Sequence, residues 1–373
     1  MHFVVTGGGT GGHIYPALAI ARGLLEKYPG ATVHYLGSER GLEKDIVPRA
    51  GLEFTALPLA GLQRRITLHN LRAGALALAA VGRVRRLLKV RRPAAVIGTG
   101  GYVCGPVVLA AASLGIPTLI HEQNAFPGLT NRWLARLVDT VALTFPEAAP
   151  YFKGRAKKVV TGLPVRPELL RVDREKCRQN LGLLPGQLLL LSFGGSQGAR
   201  SINRAMLEMC RQLAGRSDIC LLHVTGPAQY EWFRQELQAA GINEDKFANI
   251  NIKPYLHNMP AVLGAADLVI CRAGAATIAE ITVLGLPSIL IPYPHAAGNH
   301  QVHNARALVR AGAAIMISDA ELTGQLLQQK AGELLENRPL MASMARSAAG
   351  LGRPRALEEI LSAVAELVQR GGL

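Results

Sequence analysis

Short apolar runs alternate with helical stretches along the whole chain, which predicts a series of βα units. Almost every position within a run is apolar, as in strands that are covered on both faces of a sheet. Between the runs, apolar residues recur with a helical period, for example from Ala17 to Leu25. Such units indicate a parallel sheet with helices on both faces. The predicted strands lie near residues 2–6, 32–37, 53–57, 94–98, 116–120, 138–143 and 157–161, and then 188–193, 219–224, 249–252, 267–271, 287–291 and 313–317.

The alternating pattern pauses once, at a turn containing glycine and proline near residues 160–166. It starts again with the apolar run 188–193, so the chain uses one architecture twice. We predict an α/β fold of two tandem Rossmann-like domains with a cleft between them, over residues 1–162 and 163–350. The apolar stripe in residues 354–373 predicts a last helix, which we expect to pack back on the first domain.

The first strand of each predicted domain is followed by a glycine turn. In Gly7–Gly12 five of six residues are glycine, more than packing alone is expected to need, and Pro16 is predicted in the first turns of the next helix. Backbone N–H groups and a helix N-terminus at such a turn predict an anion site. The glycine spacing also fits a dinucleotide-binding turn, whereas the lack of a following Lys excludes a Walker phosphate loop. In the second turn, Gly194–Ala199, Ser196 is either a ligand contact or an N-cap.

Polar residues also follow other predicted strands. Ligands of open α/β sheets bind at the carboxyl ends of the strands, so we expect these residues to face one cleft. They lie in the segments Gly98–Tyr102, His121–Asn124, Arg272–Glu280 and His295–Gln301.

Each of these residues also has a purely structural interpretation. His13 is alternatively a helix-capping or hydrogen-bonded histidine with no chemical role. His121 and Glu122 are alternatively paired with each other to hold their own loop. Glu280 is alternatively an exposed carboxylate on a helix of small residues.

The sequence predicts neither a metal site nor a cofactor. His295, His300 and His303 lie close together but lack a supporting carboxylate or cysteine. The chain has no Asp-x-Asp pair, which would be typical of a cation that holds a diphosphate. Its five cysteines are scattered without a C-x-x-C pair, which indicates buried thiols in a reducing compartment.

The net charge of +15 is concentrated in the first half of the chain. Residues 1–161 contain 20 Lys and Arg against 8 Asp and Glu, and no acidic residue occurs between Glu53 and Glu122. A one-sided basic field predicts an anionic partner, such as phosphates, nucleic acid or an acidic membrane. We expect no signal peptide and no transmembrane helix. The basic residues in the gap are Arg64, Arg65, Arg72, Arg83, Arg85, Arg86, Lys89, Arg91 and Arg92.

Seven motifs occur in a fixed order along the chain. They are Gly8–His13, Gly98–Pro106, His121–Asn124, Gly162–Arg166, Gly194–Ala199, Arg272–Glu280 and His300–Ala305. The set closely resembles the MurG family of bacterial N-acetylglucosaminyltransferases, which convert lipid I to lipid II, and the resemblance extends over essentially the whole chain.

The resemblance implies a GT-B glycosyltransferase that binds UDP-N-acetylglucosamine mainly on its second domain. It implies inverting, metal-independent transfer of N-acetylglucosamine to the 4-hydroxyl of the muramoyl sugar of lipid I, a polyprenyl-diphosphate-linked muramoyl-peptide. This step belongs to peptidoglycan synthesis, and so to cell wall biogenesis, cell shape and cell division. The implied substrate-binding residues are Thr10, Gly11, Gly12, Tyr102, Asn124, Arg166, Ser196, Leu256, Ala275, Ala276, Thr277, Glu280 and Gln301.

By the same resemblance, Arg166 and Ser196 contact the nucleotide diphosphate, together with the N–H groups of Ala275–Thr277. Glu280 holds the ribose hydroxyls, and Leu256 lies beside the uracil. The sugar side is expected to meet Thr10–Gly12, Asn124 and Gln301.

The implied reaction needs a base and a means of stabilising the departing UDP. His13, beside the first glycine turn, is the candidate general base, with Glu122 in reserve. Helix N-termini and Arg166 are expected to stabilise the diphosphate that leaves.

The basic segment 64–92 is predicted to lie as an amphipathic stretch on an anionic inner membrane leaflet. We therefore expect a peripheral enzyme on the cytoplasmic face of the bacterial inner membrane. Nucleic acid is not the expected partner, because no aromatic residues are interleaved with the basic ones. The apolar residues of the stretch are Leu71, Leu76, Leu78, Val81, Val84, Leu87 and Leu88.

Two other enzyme classes remain open from the sequence. One is a UDP-N-acetylglucosamine epimerase of the same fold. The other is an NAD(P)-dependent oxidoreductase, with Glu39 as the ribose partner of the first glycine turn.

Overall fold

The structure of the chain is a computed structural model that describes residues 1–60, 68–242 and 246–370. The side chains of residues 68–73 lie outside this description. Contacts within the chain divide it into two compact units, each built around its own parallel sheet. Two parallel sheets that alternate with helices confirm the predicted fold class, two tandem Rossmann-like α/β domains.

The first unit comprises Met1–Pro164 and Arg355–Leu373. Its described strands are β1 (His2–Thr6), β2 (Thr32–Ser38), β3 (Glu53–Leu57), β4 (Ala95–Gly98), β5 (Thr118–Glu122), β6 (Thr140–Leu143) and β7 (Lys157–Val160). They pair in the order β3-β2-β1-β4-β5-β6-β7, and every pair is parallel. The winding of the sheet therefore changes direction between β1 and β4. The α-helices within the Met1–Pro164 part of this unit are α1 (Gly11–Lys27), α2 (Glu43–Arg49), α3 (Leu68–Arg91), α4 (Cys104–Ala112) and α5 (Leu129–Leu134).

The second unit comprises Val165–Pro354. Its described strands are β8 (Leu188–Phe193), β9 (Ile219–Val224), β10 (Ile250–Lys253), β11 (Leu268–Cys271), β12 (Ser288–Leu290) and β13 (Ala314–Met316). They pair in the order β10-β9-β8-β11-β12-β13, so the winding changes direction between β8 and β11. Its helices are α6 (Arg174–Asn180), α7 (Arg200–Leu213), α8 (Tyr230–Ala239), α9 (Met259–Ala265), α10 (Ala275–Val283), α11 (His300–Arg310), α12 (Gly324–Leu335) and α13 (Arg338–Leu351).

The last helix, α14 (Ala356–Arg370), packs against α1 in the first unit. Its apolar stripe buries Ile360 and Val364 in the core of that unit. Close approach needs a glycine on the facing helix, because a Cβ at Gly23 would lie 2.8 Å from Leu361 Cδ1. The apolar residues of this last helix therefore form part of the core of the first unit.

Two predicted element boundaries are wrong, and both errors affect the site. Strand β5 extends to Glu122 instead of ending at residue 120, so His121 and Glu122 belong to the strand and not to the loop after it. Helix α1 begins at Gly11, inside the glycine turn, so Pro16 is its sixth residue. Pro16 therefore lies past the first turn, and the helix gives up one backbone hydrogen bond there.

Helix α3 directs much of its apolar side into the protein. Val84 and Leu88 are fully buried and pack beneath β1 and α4, so these two predicted membrane contacts are wrong. Leu78 is exposed on the same helix. The predicted contacts at Arg64 and Arg65, and the side chains of Leu71 and Arg72, lie outside the described residues. No helix in the described part of the chain combines the length and apolar content needed to cross a membrane.

Candidate active site

The first glycine turn is closely packed on three sides. A Cβ at Gly7 would lie 2.0 Å from Thr99 Oγ1, and one at Gly8 would lie 2.3 Å from Glu43 Oε1. Gly9 has a φ of +84°, which disfavours any other residue. The expectation that five glycines exceed the needs of packing is therefore wrong for these three. Gly12 differs, since a Cβ there would meet only the Thr10 hydroxyl, at 3.8 Å.

Glu43 is a buried carboxylate that fixes this turn, and sequence reasoning missed it. Its Oε2 accepts a hydrogen bond from Gly9 N–H at 3.1 Å, and its Oε1 accepts one from Ser38 N–H at 2.9 Å. A donor of the predicted anion site is thus already bonded to a negative charge. Nothing in the sequence distinguishes Glu43 from its exposed acidic neighbours, because the contact joins positions 34 residues apart.

Further anion donors remain at the start of α1. Thr10 is the exposed N-cap residue, and the N–H groups of Gly11 and Gly12 lie in the first turn, where a helix offers them no intrahelical acceptor. Gly12 is exposed. The first turn of α1, and not Gly7–Gly9, is therefore the part of the loop that is open to an anion.

A second turn interlocks with the first one. Gly8 N–H donates to Gly100 O at 3.3 Å, and a Cβ at Gly101 would lie 2.2 Å from Gly8 O. The half-buried ring of Tyr102 packs over Gly9, 3.2 Å from where a Cβ would be. The two turns that follow β1 and β4 therefore fill the switch point of the first sheet with backbone.

His13 lies half-buried in the first turn of α1 and is held at Nδ1. This nitrogen is 3.0 Å from Thr99 O and 3.1 Å from Gln123 Oε1. The Thr99 hydroxyl in turn donates to His13 O at 2.7 Å. Burial lowers the pKa of His13, although the two hydrogen bonds at Nδ1 act in the opposite direction. The ring is thus neutral and oriented at neutral pH, as a general base requires.

Glu122 is fully engaged by its own loop. Its carboxylate accepts hydrogen bonds from Asn124 N–H, the Asn124 side chain, Gly128 N–H and the Asn131 side chain, at 2.9–3.2 Å. Burial raises the pKa of Glu122, and these donors oppose the rise. Four donors use the acceptor capacity of a carboxylate, so the geometry assigns Glu122 to holding the loop that carries Asn124. Among the residues that the structure describes, the His121 ring bonds to Gly162 O and Gln123, and no hydrogen bond joins it to the Glu122 carboxylate.

The second glycine turn has a different shape. A Cβ at Gly194 would clash with Ala199 N at 2.3 Å, so the chain turns tightly there. Ser196 and Gln197 are exposed, and α7 starts only at Arg200, with Ala199 as its N-cap residue. Ser196 is therefore not the cap of this helix, and its hydroxyl lies on an open turn.

The turn after β11 leads directly into a helix N-terminus. Gly274 is the N-cap residue of α10, and Ala275, Ala276 and Thr277 form its first turn. Their N–H groups lack intrahelical acceptors, and the helix dipole adds partial positive charge. Asn304 Nδ2 donates to Ala273 O at 3.2 Å and helps to fix this turn.

Glu280 and Arg166 form a bidentate ion pair within the second unit. Arg166 Nε and Nη2 donate to the two carboxylate oxygens at 2.7 and 2.8 Å. The Glu280 side chain is 16% exposed, so the alternative of an exposed carboxylate is wrong. Each carboxylate oxygen has a second lone pair, so Glu280 can accept hydroxyl donors while it remains paired.

Two further predicted contacts lie after two other strands of this unit, β12 and β10. Gln301 is in the first turn of α11, and its Oε1 accepts a hydrogen bond from Tyr293 N–H at 2.9 Å. Leu256 is half-buried between β10 and α9. Within the described parts of the chain, no group of three His, Cys, Asp or Glu side chains is arranged to hold a metal ion.

An ion pair that the sequence did not indicate joins three loops near the switch point of the second sheet. Arg272 pairs with Asp319 and also donates to Ser201 Oγ, at 2.9 Å. Its guanidinium reaches Ile291 O and Pro292 O at 3.2 Å as well. Arg272 therefore fixes the turn that precedes α10.

Comparison with known proteins gives the same family along the whole chain. Residues 3–143 match the glycosyltransferase family 28 N-terminal domain, and residues 189–360 match its C-terminal domain. The chain is 54% identical, over 100% of both chains, to the UDP-N-acetylglucosamine--N-acetylmuramyl-(pentapeptide) pyrophosphoryl-undecaprenol N-acetylglucosamine transferase of Moorella thermoacetica.

Two solved structures show how far the similarity of fold extends. Acinetobacter baumannii MurG superposes with a TM-score of 0.81 at 31% identity, over 98% of this chain and 99% of that one. The UDP-GlcNAc 2-epimerase of Neisseria meningitidis, bound to UDP-GlcNAc, gives a TM-score of 0.69 at 14% identity, over 98% and 100%. The epimerase shares the fold alone, whereas the MurG similarity confirms the predicted GT-B fold class.

Proposed function

The chain belongs to the MurG family of glycosyltransferases within family 28, and we propose that it transfers N-acetylglucosamine from UDP-N-acetylglucosamine to lipid I to form lipid II. The observation that carries the proposal is the similarity over the full chain to a transferase of that name. The two sets of residues described above supply the groups that the reaction needs. Neither the oxidoreductase nor the epimerase alternative has comparable support.

The donor binds on the second unit in this proposal. The diphosphate lies at the N-terminus of α10, where the N–H groups of Ala275–Thr277 and the Arg166 guanidinium meet negative charge. Ser196 adds its hydroxyl in this proposal, since its turn follows β8, the strand next to β11. Glu280 accepts the ribose hydroxyls through the lone pairs that Arg166 leaves open. Leu256 flanks the uracil, and Gln301 reaches the sugar.

The acceptor is activated on the first unit. Its 4-hydroxyl gives its proton to His13 while its oxygen forms a bond to the anomeric carbon of the donor sugar. The bond from that carbon to the diphosphate oxygen breaks, and the electron pair leaves with UDP. One displacement inverts the anomeric centre. The acceptor's own diphosphate lies at Thr10–Gly12, and Tyr102 and Asn124 line the same edge of the sheet.

Exposed apolar residues on α5 and in the turn after it are a candidate for contact with the membrane. Leu129, Trp133 and Leu137 follow one another at helical spacing and are 74%, 49% and 45% exposed. Arg132 and Arg136 lie between them in the sequence. Helices α3 and α5 both pack against α4, so the exposed basic residues of α3 belong to the same layer. Exposed apolar residues among arginines fit an anionic lipid surface.

This membrane surface is tested with vesicles that contain anionic phospholipid. Leu129→Ser with Trp133→Ser should release the protein from the vesicles, whereas Leu340→Ser, at an exposed leucine of the second unit, should not. Equal binding by both variants would contradict the surface. In this proposal the substrate places the enzyme on the cytoplasmic face of the inner membrane. Fractionation of cells tests this localisation.

The transfer itself is tested with radiolabelled UDP-N-acetylglucosamine and a lipid I analogue, with and without a chelator. We expect a lipid-linked disaccharide at equal rates in both samples. The absence of that product, or the appearance of an epimerised UDP-sugar without acceptor, would contradict the proposed reaction. Loss of activity in chelator would contradict its metal independence.

A further inference from the structure

The side-chain amide of Gln123 has only one possible orientation. It is buried directly after β5, and its Nε2 lies 2.7 Å from Thr99 O and 3.1 Å from His121 O. Both partners are backbone carbonyls, which only accept hydrogen bonds, so the amide nitrogen and not the oxygen must face them. The Gln123 Oε1 atom is therefore the one that faces His13 Nδ1, at 3.1 Å.

This orientation determines which nitrogen of His13 carries the proton. The Nδ1 atom has two neighbours, Gln123 Oε1 and Thr99 O, and both are acceptors. A neutral ring satisfies them only if Nδ1 is the N–H donor. The remaining nitrogen, Nε2, then holds the lone pair and is the atom that can take up a proton.

His121 supports the same arrangement from the other side of Gln123. Its ring is fully buried, and Nε2 lies 2.8 Å from Gly162 O, so Nε2 is the donor. Its Nδ1 is left as an acceptor for Gln123 Nε2, at 3.0 Å. Each nitrogen along the line from Gly162 O, through His121 and Gln123, to His13 thus meets a partner of the opposite kind, and the two N–H groups of Gln123 Nε2 are shared among Thr99 O, His121 O and His121 Nδ1.

We propose that Gln123 and His121 are positioning residues that hold neutral His13 as its Nδ1–H tautomer, with Nε2 as the proton-accepting atom. The inference deepens the proposed function, since it rests on His13 as the base for the acceptor hydroxyl. When that proton reaches Nε2, Nδ1 keeps its own, and the ring gains one positive charge. The two acceptors at Nδ1 stabilise the imidazolium without any group having to move.

The tautomer is measured directly with 15N-labelled histidine and two-dimensional NMR at a pH well above 6.5, the ordinary pKa of the ring. In the unaltered protein we expect a protonated Nδ1 and an unprotonated Nε2 at His13, and the opposite pattern at His121. The reverse assignment at His13 would overturn the proposal, and this NMR measurement needs no variant.

Two substitutions at Gln123 separate positioning from a merely structural role. Gln123→Met removes every hydrogen bond of the amide at similar side-chain length and leaves Thr99 O as the remaining acceptor at His13 Nδ1. The Nδ1–H tautomer should therefore be held less firmly, with a measurable fraction of the other tautomer, and kcat should fall about 10- to 100-fold with the donor KM unchanged. Gln123→Glu keeps an acceptor at Nδ1, and its second oxygen faces Thr99 O and His121 O, so the carboxyl group fits there only when it is protonated. It should retain the Nδ1–H tautomer and recover much of the kcat that Gln123→Met loses.

The ring of His34 serves as an internal control for folding. It lies in the same unit, is buried and bonds to Thr55 Oγ1 at 2.8 Å, away from the line of residues above. Its resonances should stay unchanged in both variants. An unchanged His13 tautomer and kcat in Gln123→Met, with the His34 resonances intact, would refute positioning.

Failure of the base assignment is a different result. If His13→Ala keeps its turnover while the NMR pattern is as expected, the tautomer is held but the proposed function of His13 is wrong. If His13→Ala loses its turnover while the NMR pattern is reversed, His13 remains the base and the positioning by Gln123 and His121 is wrong.

Discussion

The two sheets change their winding direction at equivalent strands, but the turns that follow these strands differ between the two units. In the first unit the turns after β1 and β4 interlock, through Gly8 N–H and Gly100 O, and a buried carboxylate, Glu43, takes another amide. In the second unit the turn after β8 leaves Ser196 exposed, and the turn after β11 opens into the N-terminus of α10. The first switch point is closed by the protein's own backbone, whereas the second has an exposed turn and a helix N-terminus.

This difference explains why we propose the nucleotide site at the turns of the second unit and not at the turn with more glycines. A phosphate needs N–H donors that are free and that have no carboxylate beside them. In the first glycine turn, Gly8 N–H is bonded to Gly100 O and Gly9 N–H is bonded to the Glu43 carboxylate. The close packing of this turn instead orients His13, which is neutral and held at one nitrogen. The second unit has a charged pair, Arg166 and Glu280, beside a helix N-terminus. We infer a division into proton transfer on the first unit and charge stabilisation on the second.

The strongest test of this division is His13→Ala. If the first unit supplies the base, kcat should fall about 100- to 10,000-fold, while the donor KM stays unchanged, because the donor binds elsewhere. In the unaltered enzyme the acid limb of kcat/KM should lie below pH 6.5, since burial lowers the pKa of His13. Steady-state kinetics over a pH series measures both quantities. A raised donor KM without a loss of kcat would reverse the assignment of the units.

The loss of stability in acid gives a second comparison of the two units. His121 in the first unit and His223 in the second are fully buried, and burial lowers their pKa to about 4 and about 3. Above pH 6.5 both histidines are neutral whether the chain is folded or unfolded, so they favour neither state. As the pH falls from 6.5 towards 4, the unfolded chain takes up protons that the folded one excludes, and stability is lost at about 1.4 kcal/mol per pH unit for each histidine.

Chemical denaturation at pH 7 and pH 5 measures this loss, and His223→Phe is the test variant. His223 packs against Phe233, with ring centroids 4.8 Å apart, so an aromatic replacement keeps much of the contact. The variant should lose less stability between the two pH values than the unaltered protein. An equal loss would show that His223 does not contribute.

Element order and strand positions follow well from the sequence, because the central strands, such as β4, β5, β6 and β8, are apolar runs that are buried along their whole length. The position of Ala275–Thr277 at a helix N-terminus also follows, since they come shortly after a strand and begin a helix. What the sequence could not provide is the partner of each polar group. Glu43 and Gly9 are far apart along the chain, as are Arg166 and Glu280, and local pattern carries no information on such contacts. Two residues of error at β5 were enough to misplace His121.

Glu280→Gln tests the charged half of the comparison. It keeps the shape of the side chain but removes the charge that Arg166 and the ribose hydroxyls meet, so the donor KM should rise about 10- to 100-fold. The acceptor KM should stay unchanged. Glu333→Gln is the matched control, because Glu333 is an exposed carboxylate of the same unit, paired with Lys330. An unchanged donor KM in Glu280→Gln would remove the ribose role.

Gly12→Ala has the smallest expected effect on the fold and separates packing from function within the glycine turn. A Cβ there meets no close neighbour, and alanine favours a helix, so the free energy of unfolding should rise by about 0.5 kcal/mol. Gly332→Ala, in the open surroundings of α12, should give a similar gain with no change in activity. If Gly12 is bare because the acceptor diphosphate approaches it, Gly12→Ala alone should raise the acceptor KM. Equal acceptor KM values in the two variants would contradict acceptor binding at the first turn of α1. Gly12 is the glycine of that turn with room for a side chain, so an added methyl group there should interfere with any ligand that approaches it closely.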